Sequence, residues 1–297
     1  MLEELKGSGI LIEPEALSKL EKMSKNDIKL VITKAKEYRP LVLTQEIIDS
    51  YIRQVNFKKI KEFEIIKKYT IDDFIKQIND RFAFLKQILV NKTQITNLIS
   101  INKLSNGTKC SIIGMIKTID SSNTELFIEV EDQTGMINCS LSKDYLDKIK
   151  FDDVIALNGY YSDNIFHVNE IMFPDVPLRV PILSSNDIIV SFSEKFNPDV
   201  KSDFTFILED KNVNNAYFVN KPVSLFEING INILIVIGYN ALELLRKRYI
   251  SINNTDFLLD VVPDIVFNES INKNYKGISI VSLNKQINLR NREIMDI

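Results

Sequence analysis

TKCSIIGMIKTIDSSNTELFIEVEDQTGMINCSLSKDYLDKIKFDDVIALNGYYSDNIFHVNEIMFPDVP spans Thr108 to Pro177. Cys110 to Thr118 alternates loosely and is rich in β-branched residues, and Gly114 within it predicts a bend or bulge where a sheet curls toward closure. Leu126, Ile128 and Val130 fall on one side of a second strand. Asp132-Gln133-Thr134-Gly135 reads as a hairpin turn in which Gly135 supplies the φ > 0 position. Met136 to Leu141 returns as a third strand, and Leu141, Tyr145, Leu146 and Ile149 then have helical spacing, with Ser142 as N-cap. Val154 to Tyr160 and Phe166 to Phe173 are two more strands, joined by the tight turn Ser162-Asp163-Asn164. Three strands, a helix and two strands is the order of a five-stranded OB barrel.

Working outward, residues 1–55 read as a small helical domain. Leu2, Leu5 and Ile10 to Ile12 lead to Pro14 at a helix start, followed by Ala16, Leu17, Leu20 and Met23. Asn26 or Asp27 can cap a second helix, Pro40 breaks it, and Thr44 opens a third through Ile47, Ile48, Tyr51 and Ile52. Residues 56–69 read as a charged linker, because Glu62 and Glu64 interrupt Lys58, Lys59, Lys61, Lys67 and Lys68. Thr70-Ile71-Asp72-Asp73 has the form of a capping box. It opens a docking helix within 70–100 whose apolar side carries Phe74, Ile75, Ile78, Phe82, Leu85, Ile88 and Leu89. Asp80 and Arg81 on it suggest a structural ion pair. The OB domain occupies 101–180. From 181 to 297 come separate β runs, Asp187–Phe192, Phe204–Leu208, Val223–Glu227, Ile231–Gly238 and Gly277–Leu283, with a helical stretch Ala241–Tyr249. The fold class is therefore α+β.

Composition narrows the function. Hydrophobic content of 45% and charged content of 26% are those of a globular chain. No apolar run approaches the ~18 residues of a membrane span. The start Met1-Leu2-Glu3-Glu4 has no apolar secretion core, so a cytoplasmic location is expected. Cys110 and Cys139 both fall in barrel strands and read as buried thiols; two cysteines alone cannot make a zinc site. Within 108–177 stand Lys109, Lys117, Lys143, Lys148 and Lys150. Against these five are twelve acidic residues, among them Glu125, Glu129, Glu131 and Asp132. A barrel that grips single strands by itself offers a cationic groove with stacking aromatics. This acidic one points to a protein partner instead.

The wording of the barrel adds a resemblance. Gly114-Met115-Ile116, Val130-Glu131-Asp132-Gln133-Thr134-Gly135, Leu157-Asn158-Gly159 and above all Phe173-Pro174-Asp175-Val176-Pro177 resemble the OB domain of replicative DNA polymerase small subunits. The likeness is to the small subunit of archaeal family D DNA polymerase. Gly9-Ile10-Leu11-Ile12-x-Pro14-Glu15-Ala16-Leu17 is similar to that family's N-terminal helical domain, and Asp72 to Leu89 to the helix ahead of its barrel. The resemblance implies that 181–297 is a shortened calcineurin-like phosphoesterase, a β-sandwich with flanking helices, which in active members is a manganese-dependent 3′–5′ exonuclease. Ile231 to Gly238, Val262-Pro263-Asp264-Ile265-Val266 and Tyr275-Lys276-Gly277-Ile278 match sheet pieces of that domain.

The chemistry does not come across with the fold. Two-metal hydrolysis needs several His, Asp and Asn ligands to clamp two cations. The chain has one histidine, His167, inside a barrel strand, where it reads as a residue facing solvent or a partner. The family's Ser-Asp-x-His element falls on Ser191-Phe192-Ser193-Glu194, its strand-end His on Ile237, and its Gly-His-x-His element on Glu269-Ser270-Ile271-Asn272, with Phe267 replacing a further His. Phe192, Glu194, Ile237, Phe267, Ser270 and Asn272 are therefore expected to be a degenerate former metal site, with no catalytic residue, metal or cofactor. Neither a phosphate-binding Gly-Lys-Ser/Thr loop nor a Gly-x-Ser-x-Gly elbow occurs. The expectation is a non-catalytic small subunit, or a paralogue of one, that scaffolds the large catalytic subunit of an archaeal DNA polymerase. It would reach DNA through the complex and contact no membrane. The competing expectation is a stand-alone OB-fold protein binding single-stranded nucleic acid.

Overall fold

A computed structural model describes residues 9–23, 25–52, 55–65, 70–121 and 125–297. Leu2, Leu5, Lys67, Lys68 and the turn residues Ser122 and Asn123 lie outside the described residues. The chain divides into two compact units. One takes the chain up to Glu62 together with Val180–Ile237 and Pro263–Ile297; the other takes Phe63–Arg179 and Gly238–Val262.

The N-terminal helical domain runs β1 (Leu11–Ile12), α1 (Pro14–Glu21), α2 (Lys25–Tyr38), β2 (Val42–Leu43) and α3 (Gln45–Ile52), and β1 pairs parallel with β2. Pro14 sits in the first turn of α1, where its missing N–H costs nothing. Thr44 Oγ1 accepts from the Ile47 N–H at 3.2 Å to open α3. Helix α2 begins at Lys25, so Asn26 and Asp27 lie in its first turn and not ahead of it. Ala16, Leu20, Val31, Ile32, Ala35, Leu43 and Ile48 form the core.

The charged stretch that follows contains a strand. Phe57–Glu62 (β3) pairs antiparallel with Val223–Ile228 at the edge of a six-stranded sheet, so the expected linker over 56–69 is corrected there. Phe57 anchors it, with its ring 4.8 Å from Phe204 and 5.4 Å from Phe226. Three of the lysines read as linker charges, Lys58, Lys59 and Lys61, sit on this edge strand, with Lys58 and Lys59 exposed, where charge discourages pairing with another chain.

Helix α4 (Ile71–Val90) opens with the expected capping box: Thr70 Oγ1 accepts from the Asp73 N–H at 3.1 Å, and Asp73 Oδ2 accepts from the Thr70 N–H at 3.0 Å. The barrel follows as β4 (Lys109–Ser121), β5 (Leu126–Asp132), β6 (Gly135–Leu141), β7 (Val154–Ser162) and β8 (Ile165–Met172). It closes in the order β4-β5-β6-β8-β7, with β6 and β8 parallel and the other neighbours antiparallel. This is the five-stranded OB arrangement. Leu126, Ile128 and Val130 all point inward and are buried, and both cysteines are buried and free. The stretch after β6 is a 3₁₀ turn over Lys143–Lys148, capped by Ser142, whose Oγ accepts from the Asp144 N–H. Asp163 and Asn164 both have positive φ, the signature of a type I′ hairpin turn.

Gly135 differs from expectation. Its φ is not positive, and an added Cβ there would meet nothing closer than Ile101 Cγ2 at 3.6 Å. The turn is made by Asp132, whose Oδ1 accepts from the N–H groups of Thr134 at 2.7 Å and Gly135 at 3.1 Å, while Oδ2 accepts from the Ile101 N–H at 3.0 Å. The glycines that the barrel needs are Gly114 and Gly159, where a Cβ would lie 2.8 Å from Glu131 O and 2.1 Å from His167 O.

Strands β9 (Ile189–Ser193), β10 (Phe204–Ile207) and β11 (Ala216–Phe218) run parallel to one another. Strands β12 (Val223–Ile228) and β13 (Ile231–Val236) form an antiparallel hairpin. Then come α5 (Ala241–Lys247) and the hairpin β14 (Tyr249–Ile252) and β15 (Thr255–Leu258), which group with the barrel unit although the sequence placed them in the C-terminal domain. The chain ends with β16 (Ile265–Asn268), β17 (Lys273–Tyr275), β18 (Ile278–Ser282), β19 (Lys285–Asn288) and β20 (Ile294–Asp296). The sheets β17-β18-β16-β13-β12-β3 and β11-β10-β9-β19-β20 share one core. Ile231, Ile233 and Ile235 enter that core, and Leu234 and Val236 on the other face of β13 are buried as well. Among the described residues no helix is long and apolar enough to cross a membrane.

Candidate functional site

The former metal positions read from the sequence separate into two groups. Phe192 in β9 and Phe267 in β16 come from opposite sheets, are both fully buried, and meet with ring centroids 5.5 Å apart at a 42° tilt. Ile237, one residue beyond β13, packs half-buried against the same core. Ser270, Asn272 and Glu194 are exposed. The loop that carries Ser270 and Asn272 is tied by amides. Asn268, buried at the end of β16, donates from Nδ2 to Ile271 O at 2.9 Å and accepts at Oδ1 from the N–H groups of Ser270 at 2.9 Å and Ile271 at 2.8 Å. Asn272 donates to Ser282 Oγ and accepts from the Ser282 N–H, both at 2.8 Å. Asn268 was missed by the sequence reading; the signal was an Asn at the end of a β run followed by a polar turn.

Two phenyl rings, one aliphatic side chain, a hydroxyl, an amide and a single carboxylate, Glu194, do not fit a pair of divalent cations. Among the described residues no three His, Cys, Asp or Glu side chains come together as a metal-holding group.

A second cluster lies in the barrel unit. Arg81 does not pair with Asp80, which is exposed one residue earlier; it is buried and lies 3.3 Å from Asp256 and 3.7 Å from Asp152, with its guanidinium 4.8 Å above the Tyr249 ring. Lys247, also buried, lies 2.8 Å from Asp153 and 2.9 Å from Glu243, and Lys150 lies 2.7 Å from Glu243. Burial pushes the Asp153 carboxyl up, opposed by Lys247, and pushes the Tyr249 phenol up as well. Burial also acts on Glu243, yet the bonds from Lys150 and Lys247 hold its carboxyl below the ordinary range. These groups border a cavity of about 300 Å³ that Phe151 and Tyr239 flank. The charges that line it, Lys150, Asp153, Glu243 and Lys247, are paired, and the arrangement ties the barrel to α5 and the hairpin.

His167 stacks on Tyr160 at 4.8 Å with an interplanar angle of 17°. The two are cross-strand partners on β8 and β7, beside the type I′ turn, and Lys109 of β4 is the next partner in the row. Phe166 points into the barrel, so His167 faces outward.

No family model matches the chain. The chain is similar to curated archaeal proteins named DNA polymerase II small subunit. It is 32% identical to that of Pyrococcus abyssi over 193 residues, 58% of this chain and 30% of the relative. It is 28% identical to that of Methanothermobacter thermautotrophicus over 245 residues, 71% of this chain and 50% of the relative. For Thermoplasma acidophilum the identity is 27% over 194 residues, 61% and 39%. The chain thus spans half or less of the length of these relatives. Among solved structures, a domain of replication protein A from Methanococcus maripaludis overlaps 25% of this chain and 91% of its own length at 19% identity and a TM-score of 0.24. Asparaginyl-tRNA synthetase from Pyrococcus horikoshii overlaps 25% and 22% at 14% identity and a TM-score of 0.23. The OB assignment stands on the strand order.

Proposed function

We propose that this chain is a non-catalytic small, B-type subunit of an archaeal replicative DNA polymerase, or a paralogue of one, and that it scaffolds the large catalytic subunit. The observation that carries this reading is its similarity to seven curated archaeal relatives of that name. The interior supports the non-catalytic half. We read the two sheets that share the Phe192–Phe267 core as a degenerate calcineurin-like phosphoesterase. Its metal positions are then taken by rings and amides, and the vacated cleft is plugged from within. The acidic barrel suits a protein partner better than a phosphate backbone, so DNA is reached through the complex.

The test is co-expression with the large subunit encoded in the same genome, followed by nuclease and melting assays with Mn²⁺. A stable complex is expected, with no 3′-end cleavage by this chain. Metal held at 100 times its Kd would add about 2.7 kcal/mol of stability. A melting shift of that size, or Mn²⁺-dependent cleavage, would overturn the non-catalytic reading. A second reading, an OB module that binds single strands by itself, draws on the outward Tyr160–His167 stack. Retardation of oligonucleotides by the isolated protein at physiological salt would favour it.

A further inference from the structure

We propose that the cavity enclosed by the turn ahead of β7, α5 and β14 is a docking pocket for a tyrosine side chain of the large polymerase subunit. The inference rests on the polymerase-subunit reading above and deepens it.

The cavity, of about 300 Å³, is lined wholly by residues of the barrel unit. Two rings give it apolar surface toward solvent: Phe151, just ahead of β7, is 59% exposed, and Tyr239, just ahead of α5, is 42% exposed. Apolar side chains scattered singly on a surface mean little, but two rings gathered at one concavity mark an interaction site. The inner end is polar. Asp153, Lys247 and Tyr249 are buried there, with the Tyr249 hydroxyl 3.3 Å from Asp153 Oδ1. An apolar mouth over a polar base suits an aromatic side chain with a polar tip.

Size and charge select the guest. Small-molecule sites run from about 300 to 1,000 Å³, so this one stands at the lower limit and takes a single side chain in place of a nucleotide. Its lining sets Lys150 and Lys247 against Asp153 and Glu243, and these four pair with one another. The balance offers a phosphate no surplus of positive charge, and a guest lysine or arginine no surplus of negative charge. The guest is therefore neutral.

Lys247 decides what its tip must be. An ammonium has three N–H donors, and Lys247 spends two, on Asp153 at 2.8 Å and Glu243 at 2.9 Å. The third needs an acceptor, and the side chain is only 8% exposed, so water reaches it poorly. A phenolic oxygen accepts; the indole N–H of tryptophan only donates, and phenylalanine does neither. Aromatic anchors seated in such pockets carry much of the energy of an interface.

The experiment uses the full chain and the large subunit from the same genome. Phe151→Ser/Tyr239→Ser removes both rings from exposed positions, so the melting temperature should stay at the wild-type value while association weakens by about ten-fold or more. Phe151→p-benzoylphenylalanine, on illumination, should capture one segment of the large subunit, and that segment should contain a tyrosine. Replacing that tyrosine by phenylalanine should weaken association by about ten-fold, the worth of one hydrogen bond to a charged group. If the wild type does not bind the large subunit, the polymerase reading falls and this pocket with it. If it binds and the Phe151→Ser/Tyr239→Ser variant binds as tightly, the pocket alone is overturned. Capture of a segment without tyrosine, or of a second copy of this chain, would likewise overturn the proposal.

Discussion

Phe267 has Phe192 5.5 Å away and Phe206 6.1 Å away, centroid to centroid, and no exposure to solvent. Truncating a buried ring of this kind leaves a cavity that close-packed neighbours fill only in part. Phe267→Ala should therefore cost about 3–5 kcal/mol in chemical denaturation. A cost below about 1 kcal/mol would mean that the ring is not the plug described here. The barrel offers a paired test with two glycines. Gly159→Ala drives a Cβ to 2.1 Å from a backbone oxygen and should destabilise by about 1–3 kcal/mol. Gly135→Ala meets only ordinary contact and should stay within about 0.5 kcal/mol of wild type. Equal melting temperatures for the two variants would refute the assignment. At this scale the sequence showed that Phe192 and Phe267 are apolar rings and not candidate ligands, because a side chain's chemistry is written in its name. It could not show that Asp132 makes the turn in place of a left-handed Gly135, because an Asp side chain that accepts three N–H groups leaves no pattern in spacing.

Elements were legible where one face was wet and hidden where burial came from distant chain. The alternation of Leu126, Ile128 and Val130, and the capping box at Thr70, each declare themselves within a few residues. Strand β3 does not: its partner β12 lies well over a hundred residues away, and its lysines mimic a linker. The hairpin β14–β15 escaped as well, although Asn253-Asn254, both at positive φ, is a turn signal of the same kind as Asp163-Asn164. Helix α5 carries a testable electrostatic consequence through Lys247. Burial raises the Asp153 carboxyl despite Lys247 at 2.8 Å. A carboxyl with a folded pKa above its unfolded one holds its proton more tightly in the fold. Its contribution is complete below the ordinary aspartate range of about 3.9 and is lost as pH rises through the folded pKa. Asp153→Asn removes that dependence, so the stability of the variant relative to wild type should climb as pH rises from that range and then level off. A relative stability that falls with rising pH would show that the Lys247 attraction outweighs burial.

The whole molecule is interleaved in a way that linear domain boundaries miss. The sequence placed a barrel domain at 101–180 and residues 181–297 in one domain, since the pattern changes to separate β runs near there. Yet Gly238–Val262 returns to the barrel unit after the β12–β13 hairpin. What brings it back is chemistry that only the folded chain juxtaposes. Arg81 finds Asp256 at 3.3 Å, Tyr249 joins Phe82 and Met115 in one cluster, and the Val176 N–H donates to Leu245 O at 3.3 Å. Without that segment the barrel keeps its five strands and its closed ladder, but Arg81 loses the more buried of its two carboxylates and the α4 cluster loses the Tyr249 ring. Stripping one partner from a buried ion pair costs about 3–5 kcal/mol, a large share of the stability of a domain this small. A fragment of residues 63–179 should therefore melt well below the full chain's barrel transition and bind hydrophobic dyes. Joining residues 238–262 to its C-terminus through a flexible Gly/Ser linker should restore a cooperative transition, and Asp256→Asn in the joined form should undo part of that gain. A 63–179 fragment as stable as the joined form would show that the segment is merely attached to the barrel.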